Sequence, residues 1–296
     1  MLSACTLCPR ACNVNREKGE IGYCKMPAAI YAARAALHMW EEPCISGEGG
    51  SGTVFFSGCN LRCTFCQNHD IAIGDTGKEI SIERLSNIYL ELQEKGAHNI
   101  NLVTPTHYVP QIIESLQIAK EKGLHIPIVY NCGGYESIHT LEKLQGYIDI
   151  YLPDSKYFSS DLSARYSHAA DYPEINMAAL KEMYRQVGTC QFDADGMLQK
   201  GMIIRHLILP GQVADSKKVI RRLYETFGDN VYLSIMNQYT PLAHVSDIPE
   251  LNRRVSAEEY ERILTFCHRL GIENAYIQEG ETSSESFIPP FTYEGL

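Results

Sequence analysis

The sequence predicts an α/β fold in which helices cover a parallel sheet, preceded by a small cysteine-rich extension. From residue 53 onward, short apolar runs alternate with segments whose apolar residues recur at helical spacing. This alternation is typical of parallel sheets with right-handed crossovers. Residues 1–50 differ, because they are rich in Cys, Gly and Pro and contain only a short alternating stretch near residues 30–39.

Six apolar runs are the predicted strands, and several are almost continuously apolar, as strands covered on both faces are. They are residues 53–57, 99–104, 126–131, 147–152, 202–209 and 231–236. The segment QFDADGMLQKGMI, which starts at Gln191, is typical of a small hairpin that turns at Asp195 and Gly196. A last apolar stretch at 274–278 precedes a polar tail that we expect to be irregular.

Helices are predicted between these strands. The first covers about residues 82–95, with Ser81 placed to cap it and Gly96 after its end. The last begins at Ser256, which forms a capping-box pattern with Glu259, and ends before Gly271. The others are predicted at about residues 110–122, 137–144, 177–187 and 217–227.

The composition is that of an ordinary globular protein and disfavours several classes of function. The chain has 296 residues, is 45% hydrophobic and carries a formal net charge of −10. No apolar run approaches the ~20 residues of a membrane span. Cys5, Cys8 and Arg10 stand where a secretory signal would be apolar. An acidic chain is not expected to bind a nucleic-acid backbone. We therefore expect a cytoplasmic protein that has no membrane partner and does not have nucleic acid as its main partner. We also expect a monomer.

The chain contains 11 cysteines, which is a high count. In a reducing compartment, clustered cysteines more often bind metal or do redox work than form disulfides. Cys267, on the last predicted helix, is interpreted as a small buried hydrophobe. Seven others form two clusters, Cys5, Cys8, Cys12 and Cys24 in the first and Cys59, Cys63 and Cys66 in the second.

The second cluster, CNLRCTFC at residues 59–66, follows the first predicted strand directly. A four-iron cluster usually takes four thiolates, so three ligands leave one iron open to a substrate. In barrel-like α/β folds, sites are built at the carboxyl ends of the strands. A zinc site, with His69 as its fourth ligand, is the alternative interpretation.

CNLRCTFC resembles the C-x3-C-aromatic-x-C motif of the radical S-adenosylmethionine (SAM) enzymes. SGCNLRCTFCQN is similar to the same stretch of pyruvate formate-lyase activating enzymes. A subgroup of uncharacterised homologues of those activases is more similar still. It resembles this chain over about residues 40–245, in EEPCISGEGGSGTVFFSGCNLRCTFCQN, NLVTPTHYVPQI, YLPDSKY, IIRHLILPG and MNQYTP.

The resemblance implies a partial, open (β/α)6 barrel with a [4Fe–4S] cluster at the top of its first strand. Cys59, Cys63 and Cys66 would hold the cluster, SAM would chelate the open iron, and Phe65 would pack near the adenine. We accordingly divide the chain into an extension at 1–50, a radical SAM core at 51–280 and a C-terminal tail at 281–296.

The resemblance also implies SAM contacts. Residues 103–107 replace a Gly-Gly-Glu motif of the activases, and Thr104 and Thr106 could offer oxygen acceptors to the SAM ammonium instead. Asn131 stands where activases have an acidic residue, and it is a candidate either for ribose or carboxylate contact or for an ordinary strand-end turn. In the Asp-x-Lys element, Lys156 is expected to pair the SAM carboxylate and Asp154 to orient that lysine.

Three further candidates follow from the resemblance. Arg205 occupies the position of a SAM-contacting arginine, and a surface salt bridge is disfavoured because Arg205 interrupts an apolar strand. Asn237 and Gln238 stand near a SAM-contacting histidine of the activases. His206 is predicted to pack in the interior.

In the implied reaction, the reduced cluster donates one electron to SAM, which splits into methionine and a 5′-deoxyadenosyl radical that takes a hydrogen atom from the substrate. A flavodoxin- or ferredoxin-type donor is implied. Two enzyme hypotheses remain: activation of a glycyl radical enzyme, or modification of a small molecule, RNA or peptide side chain without a protein radical product. A zinc-binding interaction module is the non-enzymatic alternative.

The N-terminal cysteines, in the pattern C-x2-C-x3-C-x11-C, can place four thiolates around one metal. A metal would compensate for the poor core of this segment. The metal is either zinc or iron, the latter as a single ion or in a second cluster, and four reduced structural cysteines are the alternative. An iron–sulfur cluster here could relay electrons or help to hold the substrate.

Overall fold

A ten-stranded, mostly parallel sheet forms the centre of the protein in the computed structural model, which describes residues 1–278 and 289–296. The strands are β1 (Ile30–His38), β2 (Ser51–Phe56), β3 (Lys78–Ile80), β4 (Ile100–Val103), β5 (Ile128–Cys132), β6 (Ile150–Pro153), β7 (Gln191–Phe192), β8 (Leu198–Leu207), β9 (Tyr232–Met236) and β10 (Ala275–Ile277). The helices are α1 (Pro43–Ser46), α2 (His69–Ala72), α3 (Ile82–Glu94), α4 (Val109–Glu121), α5 (Ile138–Lys143), α6 (Ser160–Ser167), α7 (Tyr172–Val187), α8 (Val213–Phe227) and α9 (Ala257–Leu270).

The strand order is β10-β9-β8-β6-β5-β4-β2-β1-β3, and β7 pairs with β8. Strands from β10 to β2 in this order run parallel, whereas β1 and β3 are antiparallel to their neighbours. Among the described residues, no pairing joins β10 to β3, so the sheet stays open. The predicted α/β fold with an open, partial barrel is confirmed.

All six predicted strands are present, as β2, β4, β5, β6, β8 and β9, and the weaker stretch at 274–278 forms β10. Every residue of β2, β4, β5 and β6 is buried, as the continuous apolar runs predict for strands covered on both faces. The predicted hairpin is the antiparallel pair β7–β8, and Gly196 in its turn has φ +77°. The capping box of Ser256 and Glu259 begins α9.

Only part of residues 1–50 lies outside the central sheet. Residues 1–29 contain one short 3-10 helix, Arg16–Lys18, but β1 pairs with β2 and is part of the central sheet. The boundary at residue 50 therefore stays a prediction. Residues 281–288 of the predicted tail lie outside the described residues, and residues 289–296 run beside β1, where the Tyr293 N–H donates to the Ala33 carbonyl at 3.1 Å.

None of the described helices combines the length and the apolar character that crossing a bilayer requires.

Arg16 fastens the N-terminal segment to the barrel. Its side chain is only 1% exposed, and its guanidinium lies 5.6 Å from the centroid of the Tyr108 ring. Arg16 Nη1 donates to the His107 carbonyl at 2.5 Å, and Nε donates to the Pro27 carbonyl at 3.2 Å. One buried guanidinium thus satisfies carbonyl groups on both sides of the contact.

We expect Arg16→Ala to lower the free energy of unfolding by ~2–4 kcal/mol, because it leaves buried carbonyl oxygens without donors and opens a void. Anaerobic thermal scans and limited proteolysis measure this, and cleavage within residues 1–29 should come first. Arg254→Ala, at an exposed arginine, is the matched control. Equal melting and equal cleavage rates in the two variants would show that Arg16 does not hold this segment.

Candidate active site

The three-cysteine loop leaves β2 at the carboxyl end of the sheet and turns at Gly58, whose φ is +84°. A Cβ atom at Gly58 would lie 2.4 Å from Met26 Cγ and 2.6 Å from the Cys24 carbonyl oxygen. Both the conformation and the close approach therefore require glycine at this position. The N-terminal segment packs directly against the start of the loop.

Backbone and hydroxyl donors surround the sulfur atoms of the loop. The Leu61 N–H donates to Cys59 Sγ at 3.4 Å, and the Ser167 hydroxyl donates to Cys63 Sγ at 2.9 Å. Burial raises the pKa of all three thiols, and the Lys156 ammonium counteracts this in each case. Bound iron would replace the thiol protons, and the same donors and cation would then stabilise the thiolates.

The donor set fits an iron–sulfur cluster, because soft thiolates are its ligands and hydrogen bonds to sulfur are usual in such sites. His69, the candidate fourth ligand of a zinc ion, stacks on His244 with ring centroids 4.3 Å apart. In the described ranges, no three His, Cys, Asp or Glu side chains are arranged as a metal-ion site. The ligand assignment of Cys59, Cys63 and Cys66 therefore rests on the motif and on their shared surroundings.

A cavity of about 220 Å³ opens beside Cys63 and Cys66. It collects side chains from several strand ends and from the cysteine loop, which sequence separation alone would not bring together. Six of the predicted SAM-contacting residues line it: Phe65, Asn131, Asp154, Lys156, Arg205 and Gln238. Its described lining does not include Thr104, Thr106 or Asn237.

Charged side chains alternate in sign along one wall of the cavity. Lys156 Nζ donates to Asp154 Oδ2 at 2.6 Å, and Arg205 Nε donates to Asp154 Oδ1 at 3.1 Å. Arg205 Nη1 then donates to Glu41 Oε2 at 3.2 Å. Burial by itself would raise the pKa of Asp154, but Lys156 and Arg205 outweigh it, so that the pKa is lowered and the carboxylate stays ionised.

Glu41 is a cavity residue that the sequence interpretation missed. Its side chain is 10% exposed, and Oε1 accepts hydrogen bonds from Asn101 at 3.0 Å and from Asn131 at 3.3 Å. Burial raises the pKa of Glu41, and the Arg205 cation counteracts this. The available signal was the pair of acidic residues, Glu41 and Glu42, just before Pro43 and close to an apolar strand.

Thr104 and Thr106, which do not line the cavity, follow β4 at a sharp turn of the chain. Thr104 has φ +59°, which is a rare conformation for a β-branched residue, and its N–H donates to the Asn131 carbonyl at 2.9 Å. Thr106 begins a short 3-10 helix, and its hydroxyl donates to the buried Glu136 at 2.7 Å. The placement of Thr106 does not support its predicted contact with SAM, because its hydroxyl is used in the interior.

After β9, the two neighbouring residues predicted to contact SAM, Asn237 and Gln238, differ in their positions. Gln238 lines the cavity, and its carbonyl accepts a hydrogen bond from Gln67 of the cysteine loop at 3.1 Å. The backbone N–H of Asn237 donates to the Gln278 side chain at 2.9 Å instead. His206 is buried as predicted, and burial lowers its pKa to about 4, so that it is neutral.

The N-terminal cysteines lie close to one another and to the three-cysteine loop. The Tyr23 N–H donates to Cys12 Sγ at 3.3 Å, and the Tyr23 hydroxyl donates to the Leu61 carbonyl at 3.3 Å. Burial raises the pKa of Cys8 to about 12, and the neighbouring thiols of Cys24 and Cys12 add to the effect. The fold thus brings the two cysteine clusters of the sequence side by side.

The model of the radical SAM superfamily matches residues 53–192. An uncharacterized protein of Methanocaldococcus jannaschii, MJ0674, is 28% identical over 283 residues, which cover 92% of this chain and 76% of that protein. The pyruvate formate-lyase-activating enzyme of Clostridium pasteurianum is 29% identical over 189 residues, which cover 60% of this chain and 70% of the enzyme.

Two solved structures share the fold at low identity. Streptococcus suis SuiB, bound to the precursor peptide SuiA, has a TM-score of 0.51 at 14% identity, over 73% of this chain and 46% of that chain. Methylornithine synthase (PylB) has a TM-score of 0.50 at 16% identity, over 71% of this chain and 59% of that chain. This chain thus spans about half the length of the solved structures. The family match over residues 53–192 includes the cysteine loop at the end of β2, and together with the open parallel sheet it identifies this part of the chain as a radical SAM domain.

Proposed function

We propose that this radical SAM enzyme cleaves SAM reductively at a [4Fe–4S] cluster held by Cys59, Cys63 and Cys66, and so abstracts hydrogen from a substrate. The observation that carries the proposal is that two of these cysteines line the same cavity as the charged wall of Lys156, Asp154 and Arg205. When bound, the cluster would supply one electron to the SAM sulfonium, whose carbon–sulfur bond would break to give methionine and a 5′-deoxyadenosyl radical.

The charged wall is suited to a ligand that carries both an ammonium and a carboxylate. We assign the SAM carboxylate to Lys156, which Asp154 orients, and the SAM ammonium to Glu41. Glu41 supplies the buried negative charge that Thr104 and Thr106 do not. Arg205 already bonds Asp154 and Glu41, so we assign it the role of holding both carboxylates in position.

An aromatic and amide surface completes the proposed SAM site. The Phe65 ring lies 6.4 Å from the Tyr157 ring and 6.2 Å from the Tyr239 ring, centroid to centroid, so that it is held in place for packing against adenine. Asn131 and Gln238 offer neutral hydrogen-bonding groups to the ribose. Packed aromatic rings at this position exclude water, which the control of a radical requires.

We further propose that the substrate is a glycyl radical enzyme, which the reaction activates. The similarity to the Clostridium pasteurianum activating enzyme over 60% of this chain supports this proposal. Modification of a small molecule, RNA or a peptide side chain is the second candidate, favoured by the departure from the activase motif at residues 103–107. In both cases, an external flavodoxin- or ferredoxin-type donor in the cytoplasm would supply the electron.

The N-terminal cysteines are proposed to hold a second metal centre, either zinc or iron. Backbone amides lie near the sulfur atoms here, as they do in the three-cysteine loop, and the Tyr23 N–H donates to Cys12. Burial raises the pKa of Cys8 and of Cys24, and the backbone N–H groups of Arg10 and Met26, respectively, counteract this. Iron content in excess of four per chain after reconstitution would favour iron here.

Cys63→Ala should lower the yield of 5′-deoxyadenosine by at least about a hundredfold, because a missing ligand prevents stable cluster assembly. The assay is anaerobic reconstitution with iron and sulfide, followed by dithionite and SAM, with 5′-deoxyadenosine and iron measured per chain. Cys267→Ala, at a buried cysteine of α9, is the matched control and should keep the activity.

Unimpaired cleavage by the Cys63 variant would place the cluster elsewhere in the chain. Adding candidate glycyl radical proteins to the active enzyme separates the two substrate hypotheses. A stable glycine radical in the paramagnetic resonance spectrum of the partner supports activation. Turnover of another substrate without such a radical supports the second candidate.

Glu41→Gln should weaken SAM binding by about 10- to 100-fold, because it removes a charge-assisted hydrogen bond worth ~1.5–3 kcal/mol. Calorimetric titration of the reconstituted protein with SAM measures the affinity, and iron content confirms that the cluster is intact. Glu48→Gln, at an exposed glutamate, is the control. Equal affinities in the two variants would remove Glu41 from the SAM site.

A further inference from the structure

We propose that Phe158 and the basic side chains of α8 beside it form the docking surface for an acidic one-electron donor protein, and that Tyr157 and Ser167 connect this surface to Cys63. The inference rests on the proposed function, because it takes Cys63 as a ligand of the cluster. It goes beyond that function, which requires a reductant but does not say where the reductant binds.

The docking patch consists of Phe158, Lys218 and Arg222. Phe158 is a large apolar residue, yet it is 40% exposed. Lys218 Nζ lies 5.6 Å and the Arg222 guanidinium carbon 5.9 Å from the centroid of its ring. The two cations are four residues apart and so share one face of α8. In a protein interface, an aromatic ring suits the apolar centre, and the cations beside it suit the polar rim.

Asp215 fixes the patch to the rest of the fold. It lies on α8 one turn before Lys218, and its carboxylate accepts the N–H groups of Phe158 at 3.0 Å and of Ser159 at 2.9 Å. These donors hold the loop after β6 against α8, and they turn the Asp215 charge toward the backbone. On α8, the charges recorded in contact with the Phe158 ring are those of Lys218 and Arg222.

A second aromatic residue extends the basic surface along α8. Lys217 Nζ lies 5.4 Å and the Arg221 guanidinium carbon 5.3 Å from the centroid of the Phe266 ring. Four cations in the six residues KKVIRR are a concentration of positive charge in a chain whose formal net charge is −10. These cations would attract a partner with an acidic surface.

A short hydrogen-bonded path leads inward from the patch. Tyr157 precedes Phe158 in the chain and is buried, and its hydroxyl lies 2.6 Å from Ser167 Oγ. The Ser167 hydroxyl donates its only hydrogen to Cys63 Sγ at 2.9 Å, so the Tyr157 hydroxyl donates to Ser167. One aromatic ring and two hydrogen bonds thus separate the surface loop from a cluster ligand.

The geometry also explains why an electron would enter here. The cavity face of Cys63 is where SAM and the substrate are proposed to bind, so a donor protein needs another approach to the same sulfur. One electron passes from the reduced cofactor of the donor to the cluster, so that the donor is oxidised and the cluster reduced by one electron. No covalent bond forms or breaks in this step.

The test uses the reconstituted full chain and an acidic flavodoxin as the probe. Lys218→Glu with Arg222→Glu reverses the charge of the patch, and Lys95→Glu with Lys122→Glu makes the same change on a different surface. Calorimetry measures binding of oxidised flavodoxin, and stopped-flow absorbance measures cluster reduction by flavodoxin hydroquinone and, separately, by dithionite.

We expect the patch variant to bind flavodoxin at least tenfold more weakly than the wild type, and to be reduced by it at least tenfold more slowly. Both differences from the wild type should shrink at high salt. Reduction by dithionite should be unchanged, and the control variant should match the wild type. Equal reduction of both variants by flavodoxin would overturn the docking surface alone. A wild type that assembles no cluster reducible by dithionite would overturn the proposed function.

Ser167→Ala tests the path. Loss of a hydrogen bond to a ligand sulfur should shift the midpoint potential of the cluster to a more negative value and slow reduction by flavodoxin. Potentiometric titration followed by paramagnetic resonance measures this shift independently of SAM cleavage. Ser160→Ala, at an exposed serine on the same helix, is the control. An unchanged potential and an unchanged rate in the Ser167 variant would exclude this connection.

Discussion

Asp154 holds two cations in the cavity, and the architecture of the site depends on this carboxylate. β6 and β8 pair at only two register positions, and Asp154 makes an isolated bridge to Arg205 beyond them. The side chains of these two residues close the same gap at 3.1 Å. Loss of one partner would leave an uncompensated buried charge, which typically costs ~3–5 kcal/mol. The ion pair therefore holds the ends of β6 and β8 together, and Lys156 and Glu41 bond to its two members.

The cysteine loop meets this charged wall through Lys156. Lys156 bonds Asp154, and its charge also acts on the three thiols, so the electrostatics of the cysteine loop and of the proposed SAM site are linked. On its other side, the loop contacts the N-terminal segment, where the guanidinium carbons of Arg10 and Arg62 each lie 4.0 Å from the centroid of the Tyr23 ring. A change at the N-terminal cysteines can thus reach the cluster loop through packed side chains.

The sequence predicted those features that depend on local pattern. Continuous apolar runs identify parallel strands because both faces are buried, and Ser256 with Glu259 identifies the start of α9 because a capping box involves only neighbouring residues. The antiparallel pairing of β1 was not predicted, because it depends on a partner strand and its residues lie in a cysteine-rich segment.

Among the residues that line the cavity, Lys156 and Arg205 were expected from the resemblance, whereas Glu41 was missed because its position depends on the three-dimensional course of the chain. Glu41 reaches the site only because the segment after β1 passes the ends of β4 and β5, from which Asn101 and Asn131 donate to it. The Thr106 hydroxyl bonds the buried Glu136, because a 3-10 helix begins at Thr106 itself. Neither direction can be inferred from residue spacing.

In the proposed site, three cysteines hold the cluster and leave one of its irons free to bind SAM. Electron paramagnetic resonance of the dithionite-reduced, reconstituted protein, recorded with and without SAM, tests this most directly. We expect a [4Fe–4S]⁺ signal whose g-values change when SAM is added, and broadening from isotopically labelled SAM nitrogen or oxygen. A colourless zinc protein, or a cluster spectrum that SAM leaves unchanged, would contradict it.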